Sequence, residues 1–174
     1  MKEIEVKILD IDKKEVEEKL VSLGAEKVFE GDVNALFFDF DDGSVRAAGK
    51  TIRLRKMGDK SFLTAKSPVS QENVKIKEEY ETEVSDFEEI RRILESAGMS
   101  VWLAMRKHRT TYRLDNVSFE IDKHNDQYSH IPEFLEIEAK DAKTIYKYAE
   151  MLGFNRDDCK PWTILEIDNN IKNT

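Results

Sequence analysis

Charged and apolar residues alternate from the start of the chain. Ile4, Val6 and Ile8 interleave with Glu3, Glu5 and Lys7, the period of a strand with one apolar and one charged face. A helix signal follows: Asp12 stands three residues before Glu15, an approximate capping box. Val16, Leu20 and Leu23 then fall on one helical stripe, and Gly24 suits the stop. The unit recurs twice. Thr82-Glu83-Val84 leads through Ser85 and Glu88 to a stripe of Phe87, Ile90, Leu94 and Ala97, closed by Gly98. Leu135-Glu136-Ile137-Glu138-Ala139 leads to Ile145, Ala149 and Leu152, closed by Gly153.

Further strand patterns lie between these units. Leu36–Phe40 is apolar, Asp41-Asp42-Gly43-Ser44 signals a turn, and Thr51–Lys56 sets Ile52 and Leu54 against Arg53 and Arg55. Ser61–Lys66 reads as a short strand ended by Pro68, and Val74–Val84 as a long one. Arg106–Leu114 and Val117–Asp122 form a hairpin around Asp115-Asn116. The pattern predicts about eight strands and three helices, with strands feeding helices packed outside a sheet.

Composition narrows the class. With 174 residues and no linker rich in Pro, Gly or Ser, the chain reads as one domain, residues 1–174. The 40% hydrophobic content is that of a globular protein rather than a disordered chain. The longest stretch without a charge, Ser96–Met105, is too short to span a membrane, and Glu3, Glu5 and Asp10 interrupt any secretory leader. Cys159 is the single cysteine, which excludes an internal disulfide. The expected setting is cytoplasmic. The net charge of −8 argues against a nucleic-acid coat.

The charged strand faces carry the chemistry. If helices cover the apolar outer face of the sheet, the charged faces point together into a closed, charged interior. The convergent bases are then Lys7, Arg53, Arg55, Lys66, Lys77, Lys107 and Arg109. Such a set suits a triphosphate, with arginine forks and lysine point charges on its oxygens. The acids are Glu3, Glu5, Glu79, Glu81, Glu120, Asp122, Glu136 and Glu138. Their hard oxygens suit Mg²⁺ or Mn²⁺, which would bridge acidic protein and anionic substrate. That combination points to phosphoryl or nucleotidyl transfer.

In this order the motifs resemble a known family. Glu3-Ile4-Glu5-Val6-Lys7 matches the ExExK signature of the CYTH family of triphosphate tunnel metalloenzymes, which unites class IV adenylyl cyclases and thiamine triphosphatases. Phe37-Phe38-Asp39, Arg53-Leu54-Arg55, Leu63-Thr64-Ala65-Lys66, Glu79-Tyr80-Glu81, Lys107-His108-Arg109, the hairpin ending at Asp122, and Glu136-Ile137-Glu138 follow in family order. The resemblance implies an α+β fold: an eight-stranded antiparallel closed tunnel barrel with helices outside. It implies triphosphate binding by Lys7, Arg53, Arg55, Lys66, Lys107 and Arg109, and the charged-face pattern adds Lys77 to them. It also implies Mg²⁺ or Mn²⁺ held by Glu136 and Glu138 with help from Glu3, Glu5 or Asp122, and a catalytic set of Lys7, Asp122, Glu136 and Glu138. Two segments depart from the pattern. His130-Ile131-Pro132-Glu133 replaces a glycine before the last Glu-x-Glu strand, and the C-terminal aromatic segment survives only as Lys160-Pro161-Trp162.

Three activities remain open. The first is a cyclase making cyclic AMP and pyrophosphate from ATP. The second is a triphosphatase acting on thiamine triphosphate, inorganic tripolyphosphate or a nucleotide. The third is a triphosphate sensor without turnover. The expected partner is a small-molecule triphosphate, with no nucleic acid or membrane; the oligomeric state is open, a homodimer included. His108 is expected to face outward or into the helix layer, His124 and His130 to flank a loop, Cys159 to be a passive small residue, and Trp102 and Trp162 to pack in the core or lie partly exposed rather than stack a base.

Overall fold

The alternating segments pair into one antiparallel sheet. In this computed structural model, which describes the backbone of residues 2–71 and 75–173 and the side chains of 4–68 and 78–173, the strands are β1 (Lys2–Ile8), β2 (Glu26–Phe40), β3 (Thr51–Met57), β4 (Lys60–Gln71), β5 (Lys75–Val84), β6 (Met99–Leu114), β7 (Val117–His124) and β8 (Phe134–Ala139). The helices are α1 (Lys13–Ser22), α2 (Ser44–Ala47), α3 (Phe87–Ser96), α4 (Ala142–Met151) and α5 (Ile164–Lys172). The strand order β1-β5-β4-β3-β2-β6-β7-β8 returns on itself. The last seam is short. Among the described residues β1 meets β5 through Lys2–Glu5 against Lys75–Glu78, while Val6–Ile8 pair with β8. The sheet therefore curls round an interior. The expected antiparallel tunnel barrel is met as eight strands curled round an interior, and among the described residues the β1–β5 seam is its shortest pairing.

Helices cover the outer face as the apolar stripes require. Val16 and Leu20 of α1, Ile145 and Ala149 of α4, and Leu152 just after it bury against Val6, Ile8, Phe119, Ile121, Leu135 and Ile137. Each large side chain removed from water here contributes roughly 1.5–3 kcal/mol. The caps form: the Asp12 carboxylate accepts from the Glu15 amide at 3.0 Å, and Asp141 from the Thr144 amide at 2.8 Å. The cap of α3 is Asp86, which accepts from the Glu89 amide, one residue beyond the expected Ser85. Phe87, Ile90 and Leu94 of α3 lie half-buried beside Phe38, Leu54 and Met99.

Three differences from the sequence reading matter for the interior. β2 and β6 run 15 and 16 residues, well beyond the expected Leu36–Phe40 and Arg106–Leu114. β4 continues past Pro68, where the register shifts between Pro68 and Ser70; a bulge tolerates the missing proline amide. Helix α5 was not anticipated. Its Ile167 joins Tyr128, Ile131 and Phe134, with Leu103, Met105 and Trp162 packed alongside. Val74 lies outside the described residues.

Candidate active site

The inward row of each strand lines one cavity of about 380 Å³. On β6 the row runs Arg109, Lys107, Met105, Leu103; on β7 it runs Ser118, Glu120, Asp122, His124; on β8 it runs Phe134, Glu136, Glu138. β1 adds Glu5 and Lys7, β3 adds Arg53 and Arg55, β4 adds Lys66, and β5 adds Glu79 and Glu81. Period-two geometry makes this convergence unavoidable once the apolar faces are covered. Glu3 and Lys77 belong to the same rows by sequence, but their side chains lie outside the described residues.

The charges form two networks on facing walls. On the β6–β7–β8–β1 wall, Arg109 clamps Asp122 with Nε to Oδ1 at 2.7 Å and Nη2 to Oδ2 at 2.6 Å. Arg109 also pairs with Glu120 and reaches Glu136 at 3.9 Å. The Lys107 ammonium donates to Asp122 at 2.7 Å, and Lys7 stands 3.3 Å from Glu136 and 3.7 Å from Glu5. On the β3–β4–β5 wall, Arg55 Nη2 donates to both oxygens of Glu81 at 3.0 Å. The Thr64 hydroxyl donates to Glu81 at 2.7 Å, Arg53 stands 3.6 Å from Glu81, and Lys66 pairs with Glu79.

Burial and these pairings set the titration of the first wall. Burial raises the carboxyl pKa of Asp122 and Glu136 on its own, yet Arg109 and Lys107 around Asp122, and Lys7 and Arg109 around Glu136, hold both well below the carboxylate range. For Glu120, burial combined with repulsion from Glu136 and Asp122 outweighs Arg109 and pushes its pKa up. Burial lowers Lys107, and Arg109 lowers it further. Glu120, Asp122 and Glu136 each present a ligand oxygen within 4.8 Å of the others. Three hard carboxylate oxygens at that spacing, partly free of amide donors, fit a divalent cation such as Mg²⁺ or Mn²⁺. Among the described residues Glu120, rather than Glu5 or Glu138, completes this trio. Glu5 leans toward Lys7, while Glu138 lines the cavity opposite Ser118, one layer further along. Glu79 and Glu81 sit on the facing wall.

His124 was expected to flank a loop and does so as the last residue of β7, but sequence reasoning missed that it is also the fourth inward residue of that strand. It is 2% exposed, stacks on Phe134 at 5.9 Å, and neither ring nitrogen has a hydrogen-bond partner. Extending the row Glu120, Asp122 by two residues would have found it. Arg113 and Thr64 were also missed as neighbours of the network. Trp102, expected in the core or partly exposed, is half-buried and lines the cavity. The remaining histidines lie outside the site: His108 pairs with Asp32 at 3.0 Å, and His130 with Asp168 of α5 at 2.7 Å. Burial pushes the Cys159 thiol up to about 11, which leaves it inert at neutral pH.

Comparison with known proteins follows the same lines. A model of the CYTH domain matches residues 1–149. A candidate adenylate cyclase of Methanocaldococcus jannaschii is 30% identical over 125 residues, 70% of each chain. Among solved structures, the PH1012 protein of Pyrococcus horikoshii is 27% identical with a TM-score of 0.77, covering 95% of this chain and 98% of that one. A candidate adenylyl cyclase from Hippeastrum, described as having a dominant triphosphatase activity, shares the fold at 17% identity and a TM-score of 0.62, with 88% of each chain covered. Ordered motifs, facing charge networks and the domain match agree: the chain belongs to the CYTH domain family.

Proposed function

We propose that the protein is a metal-dependent enzyme acting on a triphosphate, with the class IV adenylyl cyclase reaction as the leading assignment. The observation that supports this most is the pairing of every inward arginine and lysine of the two facing networks with a carboxylate. Among the described residues, seven basic and seven acidic side chains line the cavity, so the interior is close to neutral. A triphosphate entering alone would meet as many acids as bases. Glu120, Asp122 and Glu136 would hold a divalent cation, and Arg109, Lys107 and Lys7 would then be available to phosphate oxygens.

In this reading Arg53, Arg55 and Lys66 grip the phosphate chain from one wall, and Lys7, Lys107 and Arg109 from the other. Arginine forks fix the direction of the chain, and the lysines neutralise charge at its oxygens. Burial in the cavity keeps these interactions strong and limits the entry of water. A divalent cation in the acidic trio would supply charge neutralisation at the phosphate and a lowered pKa at the attacking hydroxyl. For cyclisation, the ribose 3′-oxygen bonds to the α-phosphorus and gives its proton to solvent water, the bond from the α-phosphorus to the oxygen bridging to the β-phosphate breaks, and pyrophosphate leaves held by the lysines and arginines. The relative from M. jannaschii favours this assignment.

Hydrolysis of a terminal phosphate is the second reading, favoured by the triphosphatase activity described for the Hippeastrum protein. The two differ in which phosphorus lies beside the trio and in whether water reaches it. Purified protein with Mg²⁺ or Mn²⁺ and, separately, ATP, thiamine triphosphate and inorganic tripolyphosphate separates them. Cyclic AMP with equal pyrophosphate establishes the cyclase. Free phosphate without cyclic AMP establishes the hydrolase, and binding without turnover the sensor.

A further inference from the structure

Strand β6 carries an irregularity that the charge networks do not explain. Phe37 of β2 pairs with Leu103, but its neighbour Phe38 pairs with Val101. Trp102 is therefore an extra residue, a bulge opposite the junction of Phe37 and Phe38. With Leu103 facing inward, strict alternation would send Trp102 outward. Instead it lines the cavity beside Leu103. Bulges re-aim side chains in this way, commonly beside functional sites.

Other residues hold the indole there. The Arg46 guanidinium of α2 lies over it, 4.4 Å from the ring centroid. Arg46 is itself fixed by Asp39, a carboxylate only 1% exposed, which accepts from Arg46 Nε at 2.7 Å and from the amides of Phe40, Val45 and Arg46. Phe37 meets the indole edge to face at 6.2 Å, and Phe37 is the register partner of Arg53. One end of the cavity is thus apolar and aromatic, and it adjoins the β3 cations. Inorganic tripolyphosphate has nothing to place on such a surface. A triphosphate ester carrying an aromatic ring does.

We infer that Trp102 is the stacking platform for the base of a nucleoside triphosphate, with Arg46 and Asp39 as its positioning residues. The inference rests on the triphosphate reading above. It selects a neutral ring over a cationic one. Arg46 already places a positive charge on the indole, so a thiazolium stacked on the same ring would face like charge, whereas an uncharged base would not. Thiamine triphosphate is accordingly the poorer ligand.

Calorimetry with Ca²⁺ present, using α,β-methylene-ATP, thiamine triphosphate and inorganic tripolyphosphate, tests this in the full chain. Trp102→Leu is expected to weaken the nucleotide analogue about five- to a hundredfold, the range of base–aromatic stacking, while leaving tripolyphosphate within roughly twofold. Arg46→Met is expected to narrow the preference for the nucleotide analogue over thiamine triphosphate without moving tripolyphosphate. Arg46→Lys, which keeps the charge, is expected to retain part of that preference. Thermal melts of each variant check the fold. Equal losses for nucleotide and tripolyphosphate, no loss for either, or tighter binding of thiamine triphosphate by the unmodified protein would each overturn the inference. Failure of tripolyphosphate to bind the unmodified protein would instead overturn the triphosphate reading on which it rests.

Discussion

Arg109 and Asp122 face each other across β6 and β7 as a two-pronged ion pair, 2.7 and 2.6 Å long, with the two residues 4% and 0% exposed. The pair also anchors Lys107, Glu120 and, more distantly, Glu136. Removing one partner of such a buried pair strands the other charge. Asp122→Asn is therefore expected to destabilise the metal-free protein by about 3–5 kcal/mol. Urea unfolding measures this; a midpoint equal to that of the unmodified protein would show that the pair is not the keystone of this wall.

Arg55 contrasts with Arg109. Its carboxylate partner Glu81 is more open to solvent, with a side chain 27% exposed. Arg55→Ala should shift stability by no more than about 1 kcal/mol, since partly solvated pairs contribute little. It should nevertheless abolish measurable triphosphate binding by removing a phosphate fork. Unchanged affinity in a folded variant would reject the role given to the β3 wall.

Glu136 joins the metal question to the fold. It stands 3.3 Å from Lys7 and within the carboxylate trio. Glu136→Gln keeps the size and removes the charge, and the Mg²⁺ requirement for activity should rise by about tenfold or more. A superimposable Mg²⁺ titration at full activity would take Glu136 out of the metal site.

His124 sets an acid limit on stability. Burial, reinforced by Lys107, lowers its pKa from 6.5 to about 4 in the folded protein. Between those values the unfolded chain binds a proton that the folded chain refuses. Stability of the metal-free protein must then fall as pH drops from about 6.5 to about 4, by about 3 kcal/mol from this group. His124→Leu removes two unpartnered nitrogens along with the titration. It should show a shallower loss over that window and no large penalty at pH 7. Parallel pH–stability curves for the two proteins would contradict this.

Much of the site is legible in the chain because alternation is a local property. Arg53 and Arg55, Lys107 and Arg109, and Glu136 and Glu138 each lie two apart, so each pair must share a face. Their convergence follows once α1 and α4 claim the opposite face. Trp102 and His124 were less legible. The uncharged stretch around Trp102 shows no period, and the bulge there reverses the direction that alternation assigns. His124 sits where a strand and a loop look alike, although its row was already marked by Glu120 and Asp122.

The sequence alone thus determined the number of strands, the outer helices α1, α3 and α4, and the inward identity of the charged rows. Backbone pleating and helical pitch act over a few residues, and the pattern records them directly. The tertiary structure decided which acids meet which bases. Glu120 joins Asp122 and Glu136 because β7 and β8 pair in the register Glu120 to Glu136. The strand order returns on itself because β1, first in the chain, pairs with both β5 and β8. Trp102 enters the cavity because one residue of β6 has no partner on β2. Each of these depends on hydrogen bonds between segments far apart in sequence, and no local pattern encodes their register.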